Sequence, residues 1–105
     1  MRDTLHQLEQ TIAQRRTADP AQSYVAKLTS RGRGKITQKV GEEAVETVIA
    51  ALGGDHAQIV GESADLLFHL LVLLADCGIS LDSVLDELER REGLSGLAEK
   101  AARTE

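Results

Sequence analysis

The sequence predicts an all-α fold: four to five helices in one bundle, completed by dimerisation. Three observations carry the all-α assignment. There is one proline, Pro20, in 105 residues; alternation of β-branched and polar residues is absent; and apolar residues recur at three- and four-residue spacing through most of the chain. A length of 105 residues suits one domain with one core. At 42% hydrophobic and 28% charged, the composition is that of a folding chain rather than a disordered one.

The elements follow in order. Residues 3 to 17 place Leu5, Leu8, Ile12 and Ala13 at helical spacing, and the helix ends ahead of the turn at Asp19 and Pro20. A short second helix starts at about Ser23, a natural N-cap, and runs to the glycines of RGRG, residues 31 to 34. The third extends from about Lys35 to Leu52 and stops at Gly53 and Gly54. The fourth has Asp55 as N-cap, continues to Cys77 and takes Gly78 as its left-handed stop. Ser80 or Leu81 opens the fifth, with Val84, Leu85 and Leu88 apolar, until Gly93. The domain is expected over residues 1–92, followed by a loosely held tail, 93–105, with weak helical character.

Charge and cysteine content narrow the function classes. The net charge is −5, and Tyr24 and Phe68 are the sole aromatics, so the broad basic face and stacking platform of a nucleic-acid binder are missing. The longest apolar run, residues 66 to 75, is interrupted by His69 and is short for a membrane span, and the polar opening MRDTLHQLEQ is no export signal. One cysteine, Cys77, suits a reducing compartment, so the expectation is a cytoplasmic protein with neither nucleic acid nor membrane as partner. The basic residues do include a local group, Lys27, Arg31, Arg33, Lys35 and Lys39, which could be solvated cations or could meet a small polyanion.

The stretch KVGEEAVETVIAA, residues 39 to 51, sets three glutamates into an otherwise apolar helix. On a helical wheel Ile36, Val40, Ala44, Val48 and Leu52 spread over one side, while Lys35, Lys39, Glu42, Glu43 and Glu46 crowd the other, Glu43 at the border. Alone this is an ordinary solvated face with Lys–Glu pairs. The fourth helix shifts the balance. From Ala64 to Ala75 it is apolar almost all round, which predicts burial on most of its girth, yet Glu62, Asp65, His69 and Asp76 fall in one narrow sector. A short GGD connection makes the two helices antiparallel neighbours, so Glu43, Glu46, Glu62 and Asp65 can converge.

Carboxylates about 5 Å apart repel by roughly 3 kcal/mol at an effective dielectric near 20. Protonation or a divalent cation must offset this. An all-oxygen donor set favours a hard ion such as Mg²⁺, with Mn²⁺ as the second choice. With cations close by, the sum is a site for cleaving a phosphoanhydride, in which metal polarises phosphate, a carboxylate orients water and basic side chains hold the departing charge.

The paired motif, Glu42-Glu43-Ala-Val-Glu46 and Glu62-Ser-Ala-Asp65, resembles that of the MazG-like all-α nucleoside triphosphate pyrophosphohydrolases. Within that group, SYVAKLTSRGRGKITQKVGEEAVETVIAAL and ESADLLFHLLVLLADCGISLDSVLDELERR are similar to the phosphoribosyl-ATP pyrophosphohydrolases of histidine biosynthesis, over about residues 5 to 92. The resemblance implies hydrolysis of 1-(5-phosphoribosyl)-ATP to the AMP compound and pyrophosphate with Mg²⁺. Some members are fused to a phosphoribosyl-AMP cyclohydrolase domain; 105 residues leave no room for one, so the next reaction is expected of another protein.

Carried over by motif, Glu43, Glu46, Glu62 and Asp65 are metal ligands, Glu42, Glu43 and Glu46 form the catalytic set, and Lys35, Lys39, Arg31 and Tyr24 contact substrate. Each role has a plainer reading beside it. Lys35 and Lys39 could equally form surface pairs with the glutamates; Arg31 and Arg33 are glycine-flanked loop cations; and a lone tyrosine on a short helix is commonly packing. His69, one turn after Asp65, suits a supporting hydrogen bond better than ligation, while His6, His56 and Cys77 read as structural or surface residues. The resemblance also implies a homodimer or larger homo-oligomer. Two competing classes are a house-cleaning pyrophosphohydrolase for free nucleoside triphosphates, whose members usually carry a tryptophan ahead of the glutamates where this chain has none, and a non-catalytic helical dimerisation module.

Overall fold

The computed structural model describes residues 3–92, as five helices and no strand among the described residues: α1 Thr4–Arg15, α2 Tyr24–Arg31, α3 Arg33–Gly53, α4 His56–Cys77 and α5 Leu81–Arg91. The expected tail, 93–105, lies outside the described residues. The stops and starts have local causes. The hydroxyls of Ser23 and Ser80 accept the amides of Ala26 and Ser83, and the Asp55 carboxylate accepts the amide of Ala57, so α2, α5 and α4 each begin on a side-chain cap. Gly54 and Gly78 close α3 and α4 at φ values of 81° and 71°, which disfavour any residue with a Cβ. Gly32, at φ 93°, ends α2 and starts α3 within one residue, so α3 begins two residues ahead of the expected Lys35.

Helices α3 and α4 form the most extensive contact and run antiparallel. Their contacts step from Thr47 on Glu62 near the turn, through Glu43 beside Asp65, to Arg33 on Asp76 at the far end. The core occupies that far half: Ile12, Val25, Leu28, Ile36, Leu71, Val72 and Leu81 are buried together, with Leu8, Phe68, Leu74 and Leu85 against them. Polar ties hold its rim. Arg33 donates to the Asp76 carboxylate at 2.8 Å and to its carbonyl at 2.9 Å, Arg16 reaches the same carboxylate, and Glu9 accepts the Leu81 amide at 2.7 Å.

Two sequence expectations are corrected here. The ladder Ile36, Val40, Ala44, Val48, Leu52 is no single face, because residues four apart drift by about 40° per step in a helix of 3.6 residues per turn. Ile36 is fully buried, but Val48 is 58% and Leu52 84% exposed. The side of α3 that meets α4 runs instead through Ile36, Val40, Glu43, Thr47 and Ala50, which puts Glu43 in the interface rather than at its border. Nor is α4 buried on most of its girth within one chain: Val60 and Leu67 are exposed on the side away from Glu62 and Asp65. At 22 residues α4 is also longer than its apolar run and matches a membrane span by length and composition, though its polar residues engage α1, α2 and α3.

Candidate active site

The site starts from a backbone tie. The Thr47 hydroxyl donates to the Glu43 carbonyl at 2.8 Å and sits 3.2 Å from the Glu62 carbonyl, pinning α3 and α4 together one turn from both carboxylates. Glu43, Glu62 and Asp65 then each offer an oxygen within 4.8 Å of the others. Glu43 is 6% exposed; its Oε1 lies 3.5 Å from Lys39 Nζ, while its Oε2 is buried without a hydrogen-bond partner. Glu62 Oε2 is buried and unpartnered too. Carboxylate oxygens in that state carry a penalty of about 1–3 kcal/mol each, more when charged.

The donors present fit a hard divalent metal. Hard cations bind oxygens at roughly 2.0–2.6 Å, so ligand oxygens sit at most about 5 Å apart across such an ion, and the observed spread needs little or no closing. A cation there would also give the two orphaned oxygens the partner that the protein lacks.

Glu46 is placed differently. It is exposed, outside the group of three, and lines a shallow depression with Glu62, Ile49, Ala50 and Gln58 on the turn side of the cluster. Asp76, from the same sector of α4, is taken up by Arg33 and Arg16.

On the other side lies a cavity of about 260 Å³ lined by Tyr24, Lys27, Leu28, Arg31, Lys35, Lys39 and Glu42. Four cations face one carboxylate there. Lys39 stands on the boundary, 3.3 Å from Glu42 and 3.5 Å from Glu43. Hydrogen bonds from Gln38 and Lys39 hold the Glu42 carboxyl below the usual range, and the Glu42 bond raises Lys39, so both stay charged. Burial pushes the Tyr24 phenol up. Lys35, Lys39, Arg31 and Tyr24 therefore share one wall, whereas Arg33 is diverted to Asp76. The sequence places Lys27 in the basic group that could meet a small polyanion but not among the substrate contacts; the usable signal was its spacing, since Tyr24, Lys27 and Arg31 sit three and four apart on one face of α2.

Behind this wall Tyr24 Oη lies 2.8 Å from His69 Nε2, and His69 Nδ1 lies 2.7 Å from the Asp65 carbonyl. His69 is 6% exposed, packed edge-on against Tyr24 and Phe68. Both ring nitrogens are occupied, so it supports the site without joining the three carboxylates.

A helical bundle in which two antiparallel helices bring Glu43, Glu62 and Asp65 together beside a cation-lined cavity is the architecture of an all-α pyrophosphohydrolase, an enzyme that cleaves phosphoanhydrides. The chain belongs to the phosphoribosyl-ATP pyrophosphohydrolase family, whose family model matches residues 5–92. It is 66% identical over 103 residues to the phosphoribosyl-ATP pyrophosphatase of Rhizorhabdus wittichii, covering 98% of this chain and 97% of that one. Proteins of the same name from Erythrobacter litoralis and Novosphingobium aromaticivorans are 65% and 60% identical, over 96% and 97% of this chain and 97% and 95% of theirs.

Proposed function

We propose that this protein hydrolyses 1-(5-phosphoribosyl)-ATP to 1-(5-phosphoribosyl)-AMP and pyrophosphate, the second step of histidine biosynthesis, in the cytoplasm and with Mg²⁺, for which Mn²⁺ can substitute. The observation that carries the reading is the pair of buried, unpartnered oxygens on Glu43 and Glu62 beside a cavity walled by four cations. Glu43, Glu62 and Asp65 hold the metal, and Glu46 approaches from the Glu62 side. When bound, Mg²⁺ polarises phosphate oxygens and offsets the carboxylate repulsion. Lys27, Arg31, Lys35 and Lys39 bind the phosphate chain and carry the charge that builds on the departing pyrophosphate. Water attacks phosphorus, the bond between the α and β phosphates breaks, and the water's proton passes to a carboxylate of the set Glu42, Glu43 and Glu46.

Pyrophosphate release compared across phosphoribosyl-ATP, dUTP and ATP tests this. Release from phosphoribosyl-ATP far above the other two is expected. Comparable turnover of the free nucleotides would move the protein to the house-cleaning class, and no turnover of any would leave a helical interaction module.

The unit is a homodimer. Val45, Val48, Ile49 and Leu52 on α3 and Val60 and Leu67 on α4 are 46–84% exposed along the half of the hairpin that the core leaves bare. A second copy covers them, consistent with closed symmetric assembly as the common state of soluble oligomers. The domain spans residues 1–92, with the tail 93–105 outside it.

A further inference from the structure

With a neutral imidazole at His69, the hydrogen bonds behind the cationic wall have one direction. A backbone carbonyl can only accept, so the Asp65 carbonyl, 2.7 Å from His69 Nδ1, requires the proton on Nδ1. In a neutral imidazole Nε2 is then an acceptor, and the Tyr24 hydroxyl, 2.8 Å away, must be the donor. Its single proton is committed inward. What remains for the cavity is the lone pairs of the phenol oxygen on a side chain that is 49% exposed.

This polarity is opposite to that of the rest of the wall. Lys27, Arg31, Lys35 and Lys39 only donate and suit phosphate oxygens, which only accept. The Tyr24 oxygen suits a ligand group that donates, such as a sugar hydroxyl, and disfavours a phosphate oxygen at the same place. We propose that Tyr24 is a specificity-determining acceptor for a hydroxyl donor of the ligand, and that His69 is the positioning residue that holds it in that role. The ring packing supports the assignment: Phe68 stacks on Tyr24 at 6.1 Å and meets the buried His69 edge-on at 5.1 Å, which holds the imidazole against the phenol. Because His69 also grips the carbonyl of Asp65, the hydroxyl-reading wall and the carboxylate cluster are registered through one side chain.

The proposal rests on the cavity being the substrate pocket, and binding separates its failure from failure of the assigned reaction. Affinities for phosphoribosyl-ATP, and for inorganic tripolyphosphate, which offers phosphates but no sugar hydroxyl, are measured by calorimetry with EDTA so that no turnover occurs. Tyr24→Phe is expected to weaken phosphoribosyl-ATP by about two- to tenfold, the range of one net hydrogen bond, and to leave tripolyphosphate unchanged. His69→Asn, whose amide can still donate to the Asp65 carbonyl but cannot reach Tyr24, reproduces that selective loss, and the double variant is no weaker than Tyr24→Phe alone. His69→Gln, whose amide oxygen can accept from Tyr24, stays within about twofold of the unaltered protein. Equal weakening of both ligands by either single variant, or no selective loss in Tyr24→Phe, overturns the proposal. If the unaltered protein binds phosphoribosyl-ATP yet releases no pyrophosphate with Mg²⁺ restored, the assigned reaction fails while the affinity ratio still decides the role of Tyr24.

Discussion

Glu43 shows how one residue gathers the chemistry. It is placed by helical spacing in the α3–α4 interface, one oxygen on Lys39 and the other on nothing, within 4.8 Å of its acidic neighbours. At an effective dielectric near 20, each close pair costs at most about 3 kcal/mol. Glu43→Gln and Asp65→Asn should therefore hold the metal-free thermal midpoint level or raise it while abolishing hydrolysis, and should shrink the midpoint rise that Mg²⁺ produces. Scanning calorimetry with and without Mg²⁺ reads both effects; a lowered metal-free midpoint with an unchanged Mg²⁺ response would count against the cluster. The convergence of Glu43, Glu62 and Asp65 was legible because the carboxylates recur three apart on two helices joined by a short turn. The exposure of Glu46 was not: a wheel gives angles but cannot say which of two adjacent carboxylates the partner helix covers.

His6 gives a pH prediction at the same scale. Its ring lies 2.7 Å from Asp82 and 2.8 Å from Asp3, bridging the start of α1 to the start of α5, and the bonds to Asp82 and then Asp3 raise its pKa above 6.5. Two ionised carboxylates only accept, so the ring holds both protons in this clasp. A raised folded-state value means that the contribution is fully present below pH 6.5 and fades as pH rises through the raised value. His6→Gln should flatten the fall of the urea midpoint from pH 6.5 upward; an identical slope in both proteins would show that the clasp contributes nothing.

At the scale of elements, the short helix α2 depends on its cap. It spans eight residues, too few to be stable alone, and the Ser23 hydroxyl takes one of its orphan amides at 3.2 Å. Ser23→Ala should cost about 1 kcal/mol of stability. Because α2 presents Tyr24, Lys27 and Arg31 to the cavity, the same change should raise KM more than it lowers kcat. Steady-state kinetics beside urea unfolding checks this, and a loss in kcat alone would detach α2 from substrate binding. All five helices could be read in advance because the first four stop at a proline turn or a glycine and three of the five starts have a side-chain cap. The faces of α3 could not, since an every-fourth ladder crosses from the buried side at Ile36 to the open side at Leu52.

For the whole molecule, the core fills only the half of the α3–α4 hairpin reached by α1, α2 and α5, and the apolar outer sides of the other half stay open. Leu52→Glu with Val48→Glu puts charges on that surface, and sedimentation should shift from about twice the 11.3 kDa chain mass to the chain mass, with helicity retained. A single-chain mass for the unaltered protein at micromolar concentration would contradict the dimer.

The central claim is that the carboxylates of α3 and α4 form the metal-dependent centre that cleaves phosphoribosyl-ATP. Its most direct measurement is the rate of pyrophosphate release from phosphoribosyl-ATP at saturating Mg²⁺, for the unaltered protein and for Glu43→Gln at equal concentration. Rapid release that needs Mg²⁺ in the first and falls at least about a hundredfold in the second, the scale of losing one electrostatic contact to the transition state, is the predicted result. Equal rates in the two proteins would contradict it.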